Sequence, residues 1–204
     1  MDVEALAVTD TFVVTPNQIA DQRGTFLEWF RADALESATG HRLTLAQCNS
    51  SVSRRGVLRG VHFTDVPPGM AKYVTCTRGA IFDVVVDVRA GSPTYGQWAG
   101  VRLDDVDRKA VYVPEGVGHA FLALTDDAVV SYLCSTTYTP SRDHEINAFD
   151  PALGIGWPSD NEVAQSEKDG AAPTLAEAAA AGVLPSYDEC QSFYDRLRKA
   201  GAYT

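Results

Sequence analysis

Two histidines, each set among glycines in a β-prone segment, are the residues of this sequence best suited to chemistry. His62 sits in Arg54-Arg55-Gly56-Val57-Leu58-Arg59-Gly60-Val61-His62-Phe63, and His119 in Gly116-Val117-Gly118-His119-Ala120-Phe121. In a strand, Leu58, Gly60, His62 and Thr64 share one face, and the glycine opens space beside the ring. An imidazole titrates near neutrality and can act as a base or a metal ligand. A metal-binding cupin needs a His-x-His pair and further converging ligands. Here Gly60 and Thr64 flank His62, so no such ligand set is visible. No metal and no other cofactor is expected.

Proton transfer beside a carbonyl demands a different kit. A hydrogen next to a ketone is weakly acidic, so its removal needs a base, a group that stabilises the enolate oxygen, and an acid that returns the proton. His62 suits the base, and a carboxylate could orient its ring. Lys72, in Gly69-Met70-Ala71-Lys72-Tyr73, suits the enolate oxygen. Tyr132, in Ser131-Tyr132-Leu133, suits a donor on the opposite face.

The elements that must position these residues are mostly strands. Ala80 to Arg89 is the clearest, with Phe82, Val84, Val86 and Val88 on one face and Asp83, Val85, Asp87 and Arg89 on the other. Asp83 and Asp87 read as structural carboxylates. Other β-prone runs are Thr11 to Val14, Tyr73 to Thr77, Ala110 to Val113 and Ala128 to Leu133, with Gly and Pro turns between. Many short strands of this kind indicate a sandwich or barrel. Three helices are expected, each opened by a capping-box pattern: Asp33/Glu36, ending at Gly40; Thr174/Glu177, ending at Gly182; and Ser186/Glu189, running toward Lys199. The chain reads as one domain over 1–204, a β body to about 170 and a helical tail from about 171.

Composition narrows the function classes. With 17 Lys and Arg against 27 Asp and Glu, the formal net charge is −10. That argues against nucleic-acid binding, which needs a cationic surplus, but not against an anionic small molecule met by a few arginines in a cleft. No apolar run is long enough for a membrane helix, and the N-terminus Met1-Asp2-Val3-Glu4 lacks the basic and apolar regions of a secretory leader. Cys48, Cys76, Cys134 and Cys190 are scattered and form no Cys-x-x-Cys pair, which fits free thiols in a reducing cytoplasm.

Eight motifs, in order, carry a resemblance. They are Asp21-Gln22-Arg23-Gly24-Thr25-Phe26-Leu27-Glu28, Gln47-Cys48-Asn49-Ser50-Ser51, Gly56 to His62, Ala71-Lys72-Tyr73-Val74, Phe82 to Arg89, Gly116 to Phe121, Asp150-Pro151-Ala152-Leu153-Gly154-Ile155 and Ser166-Glu167-Lys168-Asp169. The chain resembles the dTDP-4-dehydrorhamnose 3,5-epimerases and their relatives in antibiotic deoxysugar pathways, over roughly residues 10 to 170. The resemblance implies a mainly β, metal-free double-stranded β-helix (a cupin-like jelly roll) with short C-terminal helices. It implies a homodimer and a dTDP-linked 4-keto-6-deoxyhexose as substrate.

By motif position, His62 is then the base and Asp169 its partner, Tyr132 the opposite-face acid, and Lys72 the group near the enolate oxygen. Arg23, Glu28, Gln47, Asn49, Arg59, His119 and Lys168 fall on substrate-binding positions, and Tyr138 on an aromatic that stacks against the nucleotide base. Arginines such as Arg23 and Arg59 suit pyrophosphate oxygens. Asp143 stands where many relatives carry Glu, one methylene longer, and the His119 loop lacks the commoner Gly after His. The family includes double epimerases and enzymes that invert only carbon 3 or carbon 5, so the motifs specify the chemistry better than the carbon. Two rivals remain. A 3,4-ketoisomerase is opposed by the presence of Tyr132 and the Lys168-Asp169 pair, and a binding module without turnover by the presence of both His62 and Asp169.

Overall fold

The apolar runs and glycine–proline turns become two antiparallel sheets in a computed structural model that describes residues 1–159 and 163–201. In chain order the elements are β1 (Asp2–Ala5), β2 (Phe12–Thr15), β3 (Gln18–Asp21), β4 (Gly24–Leu27), α1 (Ala32–Thr39), β5 (Gln47–Ser53), β6 (Leu58–Thr64), β7 (Lys72–Arg78), β8 (Ala80–Val86), β9 (Trp98–Asp104), β10 (Ala110–Val113), β11 (Gly118–Ala123), β12 (Ala128–Cys134), β13 (Asp143–Glu145), α2 (Glu167–Gly170), α3 (Leu175–Ala180) and α4 (Tyr187–Gly201). A six-stranded sheet runs β1-β2-β10-β7-β12-β5, a five-stranded sheet runs β13-β6-β11-β8-β9, and β3 and β4 form a separate hairpin. The two large sheets face each other as a cupin-like jelly roll.

Three apolar layers hold this arrangement. Val74 and Cys76 of β7, Ile81 and Val85 of β8, Phe121 of β11 and Val130 of β12 fill the space between the sheets. The outer face of the five-stranded sheet, with Val84, Val86 and Leu122, is covered by the C-terminal segment through Leu153, Leu175 and Ala178. The outer face of the six-stranded sheet, with Val14, Tyr73 and Leu133, is covered by Leu35 of α1 and by Leu43. Each such Leu or Val contributes about 1.5–3 kcal/mol by leaving water.

Along the inward faces the chemistry changes from apolar to polar. On β7, Cys76 and Val74 give way to Lys72. On β12, Ala128 and Val130 give way to Tyr132. Strand β5 sets Asn49 opposite Tyr132 and Gln47 opposite Cys134. The barrel therefore has a greasy half that stabilises it and a polar half that can host a ligand.

Several sequence expectations change here. Alternation through Leu58, Gly60, His62 and Thr64 is broken by a bulge, because β11 pairs His119 with His62 but Phe121 with Arg59. Arg59 and His62, three residues apart, thus share a face. Gly60 has φ +106°, and a Cβ there would collide with the His119 carbonyl and with Ala120. Strand β8 stops at Val86; the Asp87 backbone still bonds Gln97 and Gly96, while its side chain binds buried Arg89, Ser92 and Thr94. Helix α1 begins after Arg31, not at an Asp33 cap. Arg31 makes no side-chain cap, and Asp33 bonds the neighbouring Ala34 amide and the Arg31 guanidinium.

Gly40 does close α1, and Thr174 and Glu177 form a complete capping box on α3. The one-turn α2 has no counterpart among the three expected helices. All four cysteines are free, Cys48 exposed and the others buried. No helix among the described residues is long and apolar enough to cross a membrane.

Helix α4 docks on the backbone of a residue whose carboxyl is buried. Glu115, on the β10–β11 connection, is 2% exposed. It accepts the Ser135 hydroxyl at 3.2 Å, and its carbonyl accepts the Tyr194 hydroxyl of α4. Burial pushes the Glu115 carboxyl up from 4.5 to about 7. A carboxyl raised in the fold favours the protonated folded form. Stability is therefore lost as pH climbs from the unfolded value through about 7, by on the order of 3 kcal/mol. Glu115→Gln removes that titration. Calorimetry at pH 5 and pH 8 should show the wild-type melting temperature falling several degrees more than the variant's between the two pH values; equal falls would clear Glu115 of the effect.

Candidate active site

A cavity of about 700 Å³ opens at the polar half of the barrel, and ten of the thirteen candidate residues line it. Gln47 and Asn49 come from β5, Arg59 and His62 from β6, Lys72 from β7 and Tyr132 from β12. Tyr138 and Asp143 come from the segment after β12, and Lys168 and Asp169 from α2. His62 and Tyr132 thus belong to different sheets and border the same cavity from two walls.

His62 Nε2 lies 2.6 Å from Asp169 Oδ1. Asp169 is 4% exposed, and its amide is capped by Ser166 Oγ at 3.0 Å. Burial pushes its carboxyl up, but hydrogen bonds from His62, Ser166 and the Gly60 amide outweigh burial and leave it below its ordinary value. An ionised carboxylate only accepts, so His62 Nε2 carries the proton and donates it. The ring's other nitrogen, Nδ1, is left with the lone pair of a base.

Tyr132 is half-buried, and burial raises its phenol above the usual value against the pull of Asn49 and Arg59. It remains a protonated donor at neutral pH. Burial lowers the Lys72 amine, opposed by Asp143, Cys134 and Asp83. Among the described residues no carboxylate lies within ion-pair distance of Lys72 Nζ. Its Nζ is thus not committed to a carboxylate of the protein. The Tyr138 amide donates to Gln47 Oε1 at 2.9 Å, and Gln47 Nε2 donates to Asn49 Oδ1 at 2.9 Å, which orients both side-chain amides at the mouth.

Three candidates lie off the cavity wall. His119 is buried behind it as the register partner of His62, with its Nε2 2.8 Å from Asp83 Oδ2. Asp83, read as structural from the sequence, is therefore the anchor of a second imidazole–carboxylate pair. Its inward place on an otherwise apolar strand was the available signal. Arg23 and Glu28 belong to the β3–β4 hairpin and its exit. Arg23 is exposed and paired with Asp21, and Glu28 is exposed and pairs with Arg31. Neither reaches this cavity. Glu145, absent from the candidates, pairs with Lys168. Nothing in a three-residue strand marked it. Among the described residues, no three His, Cys, Asp or Glu side chains are grouped to hold a metal ion.

Comparison with known proteins agrees with this architecture. A family model described as dTDP-4-dehydrorhamnose 3,5-epimerase matches residues 5–177. The dTDP-4-dehydrorhamnose 3,5-epimerase of Mycolicibacterium smegmatis is 53% identical over 199 residues, covering 98% of each chain. The dTDP-4-dehydrorhamnose 3-epimerase of Streptomyces niveus is 54% identical over 192 residues, covering 94% of this chain and 92% of that one. Among solved structures, a 3′-monoepimerase from Streptomyces bikiniensis matches with TM-score 0.93 at 47% identity, covering 96% of this chain and 98% of that one. That structure is a His-to-Asn, Tyr-to-Phe double mutant in complex with dTDP, and the same enzyme was also solved with dTDP-quinovose. By sequence and by fold, this chain belongs to the dTDP-4-dehydrorhamnose 3,5-epimerase family, isomerases that act on sugar nucleotides.

Proposed function

We propose that the protein epimerises a dTDP-linked 4-keto-6-deoxyhexose at carbon 3, carbon 5 or both, with His62 as base and Tyr132 as acid. The observation that carries this is the placement of His62 and Tyr132 on different sheets around one cavity, with His62 oriented by Asp169 at 2.6 Å. Inversion needs a proton removed from one face of a carbon and returned to the other, so base and acid must stand apart. The S. bikiniensis variant supports the same pair. Its mutated histidine and tyrosine are 70 positions apart, the spacing of His62 and Tyr132 here.

His62 Nδ1 takes the hydrogen beside the carbon 4 ketone, and the C–H electrons move into the carbonyl to give an enolate. The Lys72 ammonium stabilises the enolate oxygen, as preorganised charge does in a site shielded from water. The Tyr132 hydroxyl then protonates the carbon from the opposite face, and exchange with solvent resets both groups. Arg59, which spends one N–H on Ser53 Oγ at 3.2 Å, has donors left for the diphosphate. Tyr138, 51% exposed at the mouth, offers a face to the base.

The working unit on this reading is a homodimer. The hairpin carrying Arg23 projects with Ile19 63% and Phe26 65% exposed, apolar surface that a second copy would cover. Arg23 and Glu28 then act in the partner's cavity, which explains why neither reaches its own.

In heavy water, the wild-type protein should place deuterium on the sugar at each carbon it inverts. His62→Ala should slow this about 10²–10⁴-fold while dTDP still binds; unchanged exchange in that variant removes His62 as the base. Tyr132→Phe should keep exchange but lose inversion, because the base still works and the opposite-face donor is gone. For the dimer, Arg23→Ala and His62→Ala proteins, each nearly inactive, should recover roughly a quarter of wild-type activity when refolded together, since half of a random mixture carries one intact site. No recovery means that Arg23 does not act across subunits.

A further inference from the structure

Helix α2 carries the partner of the base, yet it has almost nothing of its own to hold it in place. It is four residues long, Glu167, Lys168, Asp169 and Gly170, and none of them is apolar. One turn of helix is unstable alone, and hydrophobic burial cannot fix this one. Its flanks are tied by backbone hydrogen bonds, Ala164 to Gly56 and Leu58 and Pro173 to Asn147, while the turn itself is set by the Ser166 cap and by two consecutive side chains. Asp169 bonds His62 on β6. Lys168 is bracketed by Asp143, at 3.2 Å, and by Glu145, both on β13. Strand β13 pairs with β6, and the register sets Glu145 directly opposite His62. The anchor of Lys168 and the target of Asp169 are therefore neighbours across one strand pair.

Charge explains why the anchor holds. Asp143 and Glu145 stand two apart on one strand, with side chains only 13% and 15% exposed. Two carboxylates so placed repel each other in a poorly solvated site, and a cation between them relieves this. Lys168 is that cation, and its backbone position is tied to Asp169 by a single peptide bond.

We infer that Glu145 is a positioning residue, which through Lys168 fixes α2 and thereby holds the Asp169 carboxylate against His62. The inference rests on the proposed role of His62 as base. It also gives Lys168 and Asp143, placed by resemblance among substrate contacts, a second partner: each other.

The test compares Glu145→Gln, Glu145→Asp and Lys168→Met in the full-length protein, using deuterium exchange into dTDP-4-keto-6-deoxyglucose and equilibrium binding of dTDP. Loosening Asp169 should lower kcat for exchange about ten- to a hundredfold, the range expected when a catalytic pair is displaced by up to about 1 Å. In the Glu145 variants KM and the dTDP dissociation constant should stay within about threefold of wild type, because Glu145 does not line the cavity. Glu145→Asp, which keeps the charge, should recover part of kcat. Lys168→Met should match Glu145→Gln, and the double variant should be no worse than either, since both break one linkage. A wild-type kcat in Glu145→Gln overturns the inference. So does a loss that appears in KM and dTDP affinity with kcat intact, which would make these residues substrate contacts. Should Glu145→Gln fail to fold, Lys168→Met carries the same comparison. A silent Glu145→Gln beside an inactive His62→Ala overturns only the positioning role, whereas an active His62→Ala overturns the base assignment beneath it.

Discussion

Charged groups inside a β-barrel must be paired or they destabilise it, since an unpaired charge in a poorly solvated interior costs several kcal/mol. The polar half of this barrel meets that demand pair by pair. His62 is held by Asp169, His119 by Asp83, and Lys168 by Asp143 and Glu145. Tyr132 avoids the problem by staying neutral. Lys72 is different: burial lowers its amine, and no carboxylate comes within ion-pair distance among the described residues. A cation left short of a partner beside a cavity is complementary to an anion that forms there during a reaction. The apolar half, with Val74, Val85, Phe121 and Val130, is the counterpart that makes such a site sustainable.

Legibility from sequence tracks how local the determining physics is. Strand β10 is legible with its observed bounds, and β12 and β7 within a residue or two at each end, because apolar and β-branched runs between Gly and Pro turns specify strands locally. The α3 capping box is legible for the same reason. The bulge at Gly60 is not. Which residues of β6 face the cavity is decided by how β11 pairs with it, 60 positions downstream, so simple alternation groups His62 with Leu58 instead of Arg59. Asp83 looks like any strand carboxylate until His119 is placed beside it. Helix α2 has no apolar periodicity; its one local signal is the Ser166-x-x-Asp169 cap spacing, and the rest of its position is owed to residues on β6 and β13.

The site residues themselves are legible as types and as motifs, but their convergence is not. His62 and Asp169 are 107 positions apart, and only the closure of β6, β13 and α2 into one corner brings them to 2.6 Å. Arg23 and Glu28 show the opposite case. The motif that contains them is as dense as the others, yet it folds into a hairpin whose face is turned to solvent. A motif records that a residue matters to a site and is silent on which copy of the chain owns that site.

The same geometry bears on which carbon is inverted. Carbons 3 and 5 flank the carbon 4 ketone on either side, so on the proposed chemistry one base, one acid and one enolate-stabilising lysine can serve either carbon. The difference between them is the seating of the ring, which must turn about its carbonyl to present the other hydrogen to His62. Relatives of nearly equal identity carry 3,5-epimerase and 3-epimerase names alike, so overall similarity does not decide the carbon. On that chemistry the choice rests on how the sugar is seated between the walls. Those walls are built differently: β6 and β12 are paired on both edges within their sheets, while the single turn α2 is held by backbone bonds on its flanks, a cap and two side chains. On the proposed chemistry the orientation of His62 depends on where α2 holds Asp169, so the anchoring of α2 bears on which hydrogen of a sugar seated in the cavity of about 700 Å³ the imidazole meets.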